Sequence, residues 1–512
     1  MTTTRSPRSS RAVVLLLGLL IILAPALLTF VLVSTQLHGN VLDYVPYSAD
    51  EIYNWRQIET FKAVGFNGGY YAHHELPATF TFTRFAAWGP FFPILIGTLG
   101  RIFGWALNSA PIYNMVILGT ALLILMLLTK PDRRRLLWLL AVISTYWAML
   151  FFVPINMQES LNQGFAIVLA GLFYHLLTNR TSPMRGLKLA IFLLLIVAAL
   201  VRVSWSFLLL PLFLLAGDLQ SGRRVALRII GALVLIAFML WLSRGLAAPY
   251  PHVLNNILGI LRGSLGEGLI VLWGYVATNL RLLLFGGDGI TSLQLLLHYQ
   301  LIALVIISGF LILRQRRGKR LNLTVIADQQ GDALVHVLNL VPIFFFVQIY
   351  FVGYWIHYRH LAMHLLFSLI LLVLFNRQRL LLPLVVSNLL FVGVFFGNYQ
   401  ADIPKTEAFH ADMAKLQRFQ QVTASVITYD PQADPWCNTA LAYNTWDQRF
   451  LMLPPEIGYS VILIWDLQQL PPRSKYIVSD PTMESHLTTL HLQKLASVDD
   501  LIIYRNLDAG CP

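Results

Sequence analysis

The sequence has too few charged residues to cover the surface of a water-soluble protein. Lys, Arg, Asp and Glu make up 12% of its 512 residues, and 57% are hydrophobic, whereas a soluble domain usually carries about 25% charged residues. Residues 13–33 contain no charge at all, and such a run is long enough to cross a hydrocarbon core of about 30 Å. Similar runs recur as far as about residue 400. This pattern excludes a soluble protein and predicts an α-helical polytopic membrane protein.

The net charge of +12 is not gathered in one basic patch. No basic stripe with interleaved aromatic residues is present, which excludes nucleic acid as a partner. The basic residues instead form short clusters between the apolar runs, and we assign these clusters to the cytoplasm because positively charged segments resist translocation. The clusters are Arg5, Arg8, Arg11; Lys130, Arg133, Arg134, Arg135; Arg180, Arg185, Lys188; Arg223, Arg224, Arg228; Arg314, Arg316, Arg317, Lys319, Arg320; and Arg377, Arg379.

With these clusters on one side of the bilayer, the chain is predicted to cross it about eleven times, starting from a cytoplasmic N-terminus. The segment 189–216 has basic flanks on both sides and is broken by Arg202, so we interpret it as a tight hairpin of two short helices. Interfacial helices are expected at 91–104, 253–262 and 268–285. The other predicted spans lie at about 12–34, 108–129, 136–153, 163–178, 226–243, 291–313, 334–352, 361–376 and 380–397.

The last segment, 399–512, differs in composition from the transmembrane domain, 1–398. It contains Pro, Asp and Gln and short strand-like runs such as SVITY, SVILIW, KYIVS and DDLIIYR. These features predict a small α/β domain, and the number of preceding spans places it outside the cytoplasm. Both cysteines of the chain, Cys437 and Cys511, lie in this domain. They could pair in an extracytoplasmic compartment, and two unpaired thiols remain the alternative.

The long first outer loop, 35–105, carries an adjacent pair of carboxylates, Asp50 and Glu51, just beyond the first span. Adjacent carboxylates raise each other's proton affinity and can serve as a general base or bind a divalent cation. The alternative is an N-cap, in which Ser48 and the two acids open a helix through residues 52–63. The two interpretations are compatible.

Other polar residues are predicted to lie on the same face. His73 and His74 could bind a metal with Asp50, although adjacent histidines on a strand point in opposite directions and a plain polar loop is the alternative. Glu159 lies in the second outer turn, where it could also be a helix cap. Arg202 and the IHYRH turn, with His357, Arg359 and His360, are also predicted on this face. An arginine there could bind a phosphate through its guanidinium, or its apolar stem could lie at the membrane interface with the charged group in water.

The residues of this loop resemble those of GT-C glycosyltransferases. The order SADEIY, GFNGGYY and WGPFFPILIGTLGRIFG is similar to the branch with protein O-mannosyltransferases, the aminoarabinose transferase of lipid A and bacterial polyprenyl-phosphate-dependent sugar transferases. The turn HYRHLAMHLLF is similar to a late Arg-containing motif of that branch, with Met363 and His364 where Pro is common, and the tail resembles the small outer domain of many members.

The resemblance implies an inverting glycosyltransferase. It would move a sugar from a polyprenyl-phosphate donor to a glycan, lipid or protein acceptor on the extracytoplasmic face. Carried over by position, Asp50, Glu51 and Glu159 are the catalytic carboxylates, and Arg359, Arg202 and His360 bind the lipid phosphate. Some members need Mg or Mn and others do not, so a metal at Asp50, His73 and His74 stays open. The branch implies a bacterial inner membrane.

The rival function is a membrane transporter or a flippase for lipid-linked glycans. Transporters usually place ionisable residues inside their helices, along the path of the substrate. Here the charged residues crowd the loops, and Arg202 is the main exception. The distribution of charge therefore favours the transferase.

Overall fold

The computed structural model describes residues 7–68, 75, 89–179, 184–215, 221–247, 260–287, 291–314, 323–350, 357–402, 406–462 and 472–511. It is mainly helical over the first 400 residues and ends in a small mixed domain. The helices are α1 Pro7–Gln36, α2 Ala49–Val64, α3 Phe91–Phe103, α4 Ser109–Thr129, α5 Arg133–Thr145, α6 Trp147–Phe152, α7 Glu159–Thr178, α8 Arg185–Val201, α9 Leu209–Leu215, α10 Gly222–Leu246, α11 Leu265–Phe285, α12 Ser292–Arg314, α13 Leu323–Tyr350, α14 His357–Leu374, α15 Gln378–Asp402, α16 Met413–Val426 and α17 Glu484–Leu487.

Among the described residues, eight helices are long and apolar enough to cross a membrane. They confirm an α-helical polytopic membrane protein. The spans are Ala12–Gln36, Ser109–Thr129, Glu159–Thr178, Gly222–Leu246, Leu265–Phe285, Ser292–Arg314, Gln329–Val347 and Gln378–Phe395.

Three predicted segments differ in detail from the structure. The predicted span 136–153 is broken at Tyr146, whose ψ of 86° is not helical and whose hydroxyl donates to the Ala362 carbonyl of α14 at 2.6 Å. The segment 268–285, predicted as interfacial, is part of α11, which has the length of a span. The predicted span 361–376 corresponds to the shorter apolar stretch Tyr358–Leu374. Of the predicted interfacial segment 253–262, only the end lies within the described residues.

The hairpin predicted around Arg202 is present. Helix α8 ends at Val201, a 3₁₀ turn occupies Val203–Leu208, and α9 returns through Leu215. Arg202 lies at the tip in an extended conformation (φ −147°, ψ 110°). The hairpin therefore delivers one charged side chain to its tip, whereas the other two charged residues of these helices, Arg185 and Lys188, lie at the far end of α8.

Helices α2 and α3 of the first outer loop pack closely together. A Cβ on Gly97 would lie 2.8 Å from Phe61 Cδ1, so only glycine permits this approach. Arg101 of α3 donates to the carbonyls of Phe61 and Lys62, at 2.9 and 2.8 Å, near the end of α2. The Phe61 carbonyl also accepts from the Gly65 amide at the C-cap of α2, whereas Lys62 lies in the last turn, where carbonyls lack a partner within the helix. The two bonds from Arg101 fix the end of α2 against α3.

The C-terminal domain contains a five-stranded sheet in the order β2-β1-β3-β5-β4. Strand β1 runs parallel to β2 and β3, and β5 runs antiparallel to β3 and β4. The strands are β1 Thr439–Tyr443, β2 Gly458–Ile462, β3 Tyr476–Ser479, β4 Leu492–Val498 and β5 Leu501–Asn506. With α16 and α17 beside it, the sheet confirms the predicted small α/β domain. Cys437 and Cys511 form a disulfide.

The sheet domain is anchored on α2. Arg56 is buried and donates to the carbonyls of Leu453, Pro454 and Ile457 at 2.6–2.9 Å. The rings of Tyr53 and Tyr459 lie 5.9 Å apart across the same contact. The helix that carries Asp50 in its first turn is therefore held between the membrane helices and the outer domain.

Candidate active site

Asp50 and Glu51 occupy the first turn of α2 but have different surroundings. Ser48 is the N-cap, and its side chain forms a capping box with Glu51. Glu51 Oε2 accepts from the Ser48 amide at 2.9 Å. Asp50 takes no part in the box, and 35% of its side chain is exposed. The predicted helix cap and an accessible carboxylate are therefore both present, on neighbouring residues.

Glu51 is fully buried and is surrounded by donors. Besides the capping bond, it accepts from the Tyr44 hydroxyl and from the Asn156 amide, the latter at 3.2 Å. Burial, and then the charge of Glu51, raise the pKa of Tyr44 well above its usual range, so the phenol stays a donor. Glu51 thus ties the start of α2 to the turn before α7, and Asp50 is the accessible acid of the pair.

A second acidic residue, Glu159, begins α7 and pairs with the tip of the hairpin. Its Oε1 lies 2.8 Å from Arg202 Nη2, and the side chains are only 4% and 7% exposed. A buried charge needs such a partner, because desolvation of an unpaired ion costs several kcal/mol. The same guanidinium donates through Nη1 to the Arg359 carbonyl at 2.9 Å.

Arg359, near the start of α14, connects this buried pair to Asp50. Its Nη1 lies 3.1 Å from Asp50 Oδ2. The structure therefore brings together four of the predicted site residues from four separate parts of the chain: Asp50, Glu159, Arg202 and Arg359. His360, the next residue of α14, is buried.

Three polar atoms of this cluster have no hydrogen-bond partner among the described residues. They are Arg202 Nε, Arg359 Nε and Glu159 Oε2. Buried polar atoms are normally paired, so the cluster has capacity for a further polar group. A guanidinium presents five N–H donors in a fixed fork that matches a phosphate.

The residues that support the hairpin tip were not among the predicted site residues. His364 lies on α14 below the cluster, and its ring nitrogens contact Asn339 Oδ1 at 2.7 Å and Ser204 Oγ at 3.1 Å. Its ring lies 4.6 Å from that of Trp205, whose Nε1 donates to Asn162 Oδ1 at 2.9 Å. A buried His and Asn inside apolar runs are the signal that could have identified this support.

The predicted histidines His73 and His74 lie outside the described residues. Glu75, which follows them, is buried against the C-terminal domain, where it accepts from the backbone amides of Arg473 and Ser474 and from the Ser474 hydroxyl. Within the described ranges there is no group of three or more His, Cys, Asp or Glu side chains that could hold a metal.

An open cleft of about 560 Å³ lies between the start of α2 and the C-terminal domain. It combines backbone and side chains from the first outer loop with an aromatic and charged surface of the domain. Its lining is Tyr47, Ser48, Ala49, Asp412, Lys415, Leu416, Trp446, Asp447, Gln448 and Arg449. Because Asp50 follows Ala49, the cleft and the charged cluster are neighbours.

No family model and no curated protein matches the chain. Two solved structures of ArnT from Cupriavidus metallidurans, one in the apo state and one bound to undecaprenyl phosphate, are similar to it. Each has 12% sequence identity and a TM-score of 0.40, with 96% of this chain and 98% of the ArnT chain covered.

Proposed function

We propose that this protein is an inverting glycosyltransferase that moves a sugar from a polyprenyl-phosphate donor to an extracytoplasmic acceptor, with Asp50 as the general base. The observation that carries this proposal is the cluster of Asp50, Arg359, Arg202 and Glu159 at one end of the apolar helices. It combines an accessible carboxylate with two cations whose donors are not all used.

The geometry supports a division of roles. A hydroxyl of the acceptor attacks the anomeric carbon, Asp50 removes its proton, and the bond from that carbon to the phosphate oxygen breaks. The polyprenyl phosphate leaves with the bonding electrons. Arg359 and Arg202 lie where they could stabilise the negative charge of the leaving phosphate, since preorganised cations act most strongly where charge develops.

Arg359 can contact both Asp50 and the phosphate of the donor. One of its N–H groups faces Asp50, and its Nε–H has no partner among the described residues. Glu159 orients Arg202 from a buried position. A donor with its lipid tail between the helices and its sugar above them would meet this cluster without leaving the bilayer. Two roles stay predictions: binding of the lipid phosphate by His360, and a direct catalytic role of Glu51 as a second acid.

The test is transfer of a radiolabelled sugar from a panel of polyprenyl-phosphate sugars to a bacterial cell-envelope extract, using the full chain in lipid nanodiscs. Asp50→Asn should lower the rate at least about 100-fold, the usual contribution of a general base. Asp43→Asn is the matched control, because Asp43 is an exposed acid in the same outer loop. An unchanged rate in Asp50→Asn would remove this residue from the mechanism.

A divalent metal, Mg or Mn, stays a prediction. Of the proposed ligands only Asp50 is described, and its Oδ2 faces Arg359, which competes with a cation for that oxygen. Loss of transfer with EDTA, restored by Mg or Mn, would support a metal at Asp50, His73 and His74.

One observation favours the alternative of a transporter or flippase. Several uncharged polar residues are buried inside the helices, among them His336, Asn339, His364 and Asn388. Movement of a fluorescent polyprenyl-phosphate sugar between the leaflets of proteoliposomes, without transfer to any acceptor, would establish that function instead.

A further inference from the structure

The cleft beside Asp50 has a composition that differs from a lipid site. Its charged lining residues balance: Lys415 and Arg449 are opposed by Asp412 and Asp447. Arg449 is buried and hydrogen-bonded to Asp447 and Asp500, so its charge is already neutralised. A cleft with no net charge gives little attraction to a phosphate or an acidic polymer.

The same cleft presents an aromatic face in a polar setting. Trp446 is 48% exposed at its surface. The Lys415 ammonium lies 3.8 Å from Asp500, and Asp412 Oδ1 accepts from the Lys415 amide at 3.0 Å. Gln448 Nε2 donates to the Val45 carbonyl at 3.5 Å. An ammonium has three donors and a carboxylate or amide oxygen more than one acceptor site, so these groups keep hydrogen-bonding capacity for a ligand. An aromatic ring with donors and acceptors beside it suits a neutral, hydroxyl-rich ligand, whose C–H faces stack on the ring while its hydroxyls are hydrogen-bonded.

The position of the cleft relates this ligand to the proposed reaction. Ser48 and Ala49 form part of its wall, and Asp50 is the next residue. A cavity of about 560 Å³ lies within the usual range of small-molecule sites. Asp50 is not itself among the lining residues, so a ligand in the cleft would lie beside the first turn of α2 and reach the carboxylate through a hydroxyl that extends beyond Ala49, while the donor sugar approaches from the membrane side.

We infer that this cleft is the acceptor site and that it binds a neutral sugar unit, stacked on Trp446. This inference rests on the proposed transferase function and assigns its acceptor a chemical class. Trp446 and Lys415 determine acceptor affinity and take no part in binding the lipid phosphate, which is bound at Arg359 and Arg202.

The first experiment measures the concentration of cell-envelope extract that gives half-maximal transfer. Trp446→Ala should raise it about fivefold, since loss of a stacking contact costs about 1 kcal/mol, and Trp446→Phe should restore most of the affinity. The half-saturating concentration of the polyprenyl-phosphate donor should not change in either variant. Lys415→Ala should weaken binding of the acceptor and so raise the half-saturating concentration of the extract. Lys494→Ala is the control, because Lys494 is exposed and lies outside the cleft, and it should leave this concentration unchanged.

The second experiment closes the cleft. Because both native cysteines form a disulfide, Trp446→Cys introduces a single free thiol, which a bulky maleimide can label. Labelling should abolish transfer to the extract and leave binding of the radiolabelled donor intact. Leu507→Cys, at another exposed position of the same domain, is the labelled control.

The outcomes separate the two proposals. Equal transfer before and after labelling at position 446 would overturn the acceptor site and leave the transferase in place. Loss of donor binding on labelling would also overturn it, because the cleft would then belong to the donor. If the unlabelled protein transfers no sugar from any donor of the panel, the proposed function fails and the acceptor site falls with it.

Discussion

The two ends of α14 carry ion pairs of similar chemistry and different geometry. At its start, Arg359 contacts Asp50 through one hydrogen bond of 3.1 Å, and its Nε is unpaired among the described residues. Just beyond its other end, Arg377 binds Asp332 through two bonds of 2.7 and 2.8 Å and also contacts Gln330. The helix has 18 residues, which separates its ends by about 27 Å.

The number of hydrogen-bonding atoms that a pair leaves unused distinguishes a structural ion pair from a ligand-binding one. The Asp332–Arg377 pair is bidentate and leaves no carboxylate oxygen unbonded. The cluster at the Asp50 end is less complete, is partly exposed and borders a cleft. We expect the first to stabilise the helix packing and the second to bind a ligand. Three predictions test this contrast, and a fourth concerns a buried acid elsewhere, where the first outer loop meets the C-terminal domain.

The largest effect is expected for Glu159→Gln. The substitution leaves the Arg202 charge buried without its counterion, and breaking a buried pair in this way costs about 3–5 kcal/mol. It should also lower transfer more than about 100-fold, because Arg202 loses its orientation. Unfolding in mixed micelles and the rate per folded molecule measure the two effects. A stable variant with normal transfer would contradict the assignment of this pair to the site.

The same chemical change at the other end of α14, Asp332→Asn, should affect only stability. The loss of a bidentate partner of Arg377 should cost about 1.5–3 kcal/mol. Transfer per folded molecule should remain within about twofold of the native rate, since the pair lies at the opposite end of α14, a helix about 27 Å long. If Asp332→Asn lowered the rate of the folded enzyme as much as Glu159→Gln, the two ends would be coupled and the contrast would be wrong.

Arg359→Lys should have an intermediate effect. Lysine keeps the charge but loses the planar fork that can hold Asp50 and a phosphate together. We expect the half-saturating donor concentration to rise about tenfold, with a change in stability below about 1 kcal/mol because the Asp50 pair is partly exposed. Arg377→Lys is the matched control and should not change the affinity for the donor.

The smallest effect concerns Glu75, where the first outer loop meets the C-terminal domain. Burial raises its pKa, although hydrogen bonds from Arg473 and Ser474 act in the opposite direction. A carboxyl whose pKa is raised on folding stabilises the contact fully below its unfolded pKa of about 4.3, and this stabilisation is lost as the pH rises through the folded value. Glu75→Gln should remove this pH dependence, which amounts to less than about 1 kcal/mol in the stability of the contact. Amide exchange at Ser474 against pH measures it, and identical profiles would show that Glu75 does not titrate there.

The sequence was informative about which segments are apolar and where polar turns interrupt them. Charge-free runs and basic clusters are local properties, so the helices and the hairpin tip at Arg202 could be predicted from them. The break at Tyr146 could not, because it depends on a hydrogen bond to Ala362, 216 residues away. The number of spans was also uncertain, since a long apolar helix such as Leu265–Phe285 does not reveal from composition whether it crosses the membrane.

The candidate site could be predicted as a set of residues but not as a set of pairs. Asp50, Glu159, Arg202 and Arg359 each lie in a turn assigned to the same face. Which carboxylate meets which arginine depends on tertiary contacts over as many as 309 residues. The different surroundings of Asp50 and Glu51 arise in the same way, because Glu51 is buried by Tyr44 and Asn156.

The buried Arg56 of α2 has a consequence for any attempt to shorten the protein. Its guanidinium donates to three carbonyl groups of the C-terminal domain, so a chain truncated after α15 would lose these three bonds about 1.7 turns along the helix from Asp50. Removing the small domain should therefore disorder α2 and the first outer loop. Expressing the two parts together as separate chains should restore the order of this loop.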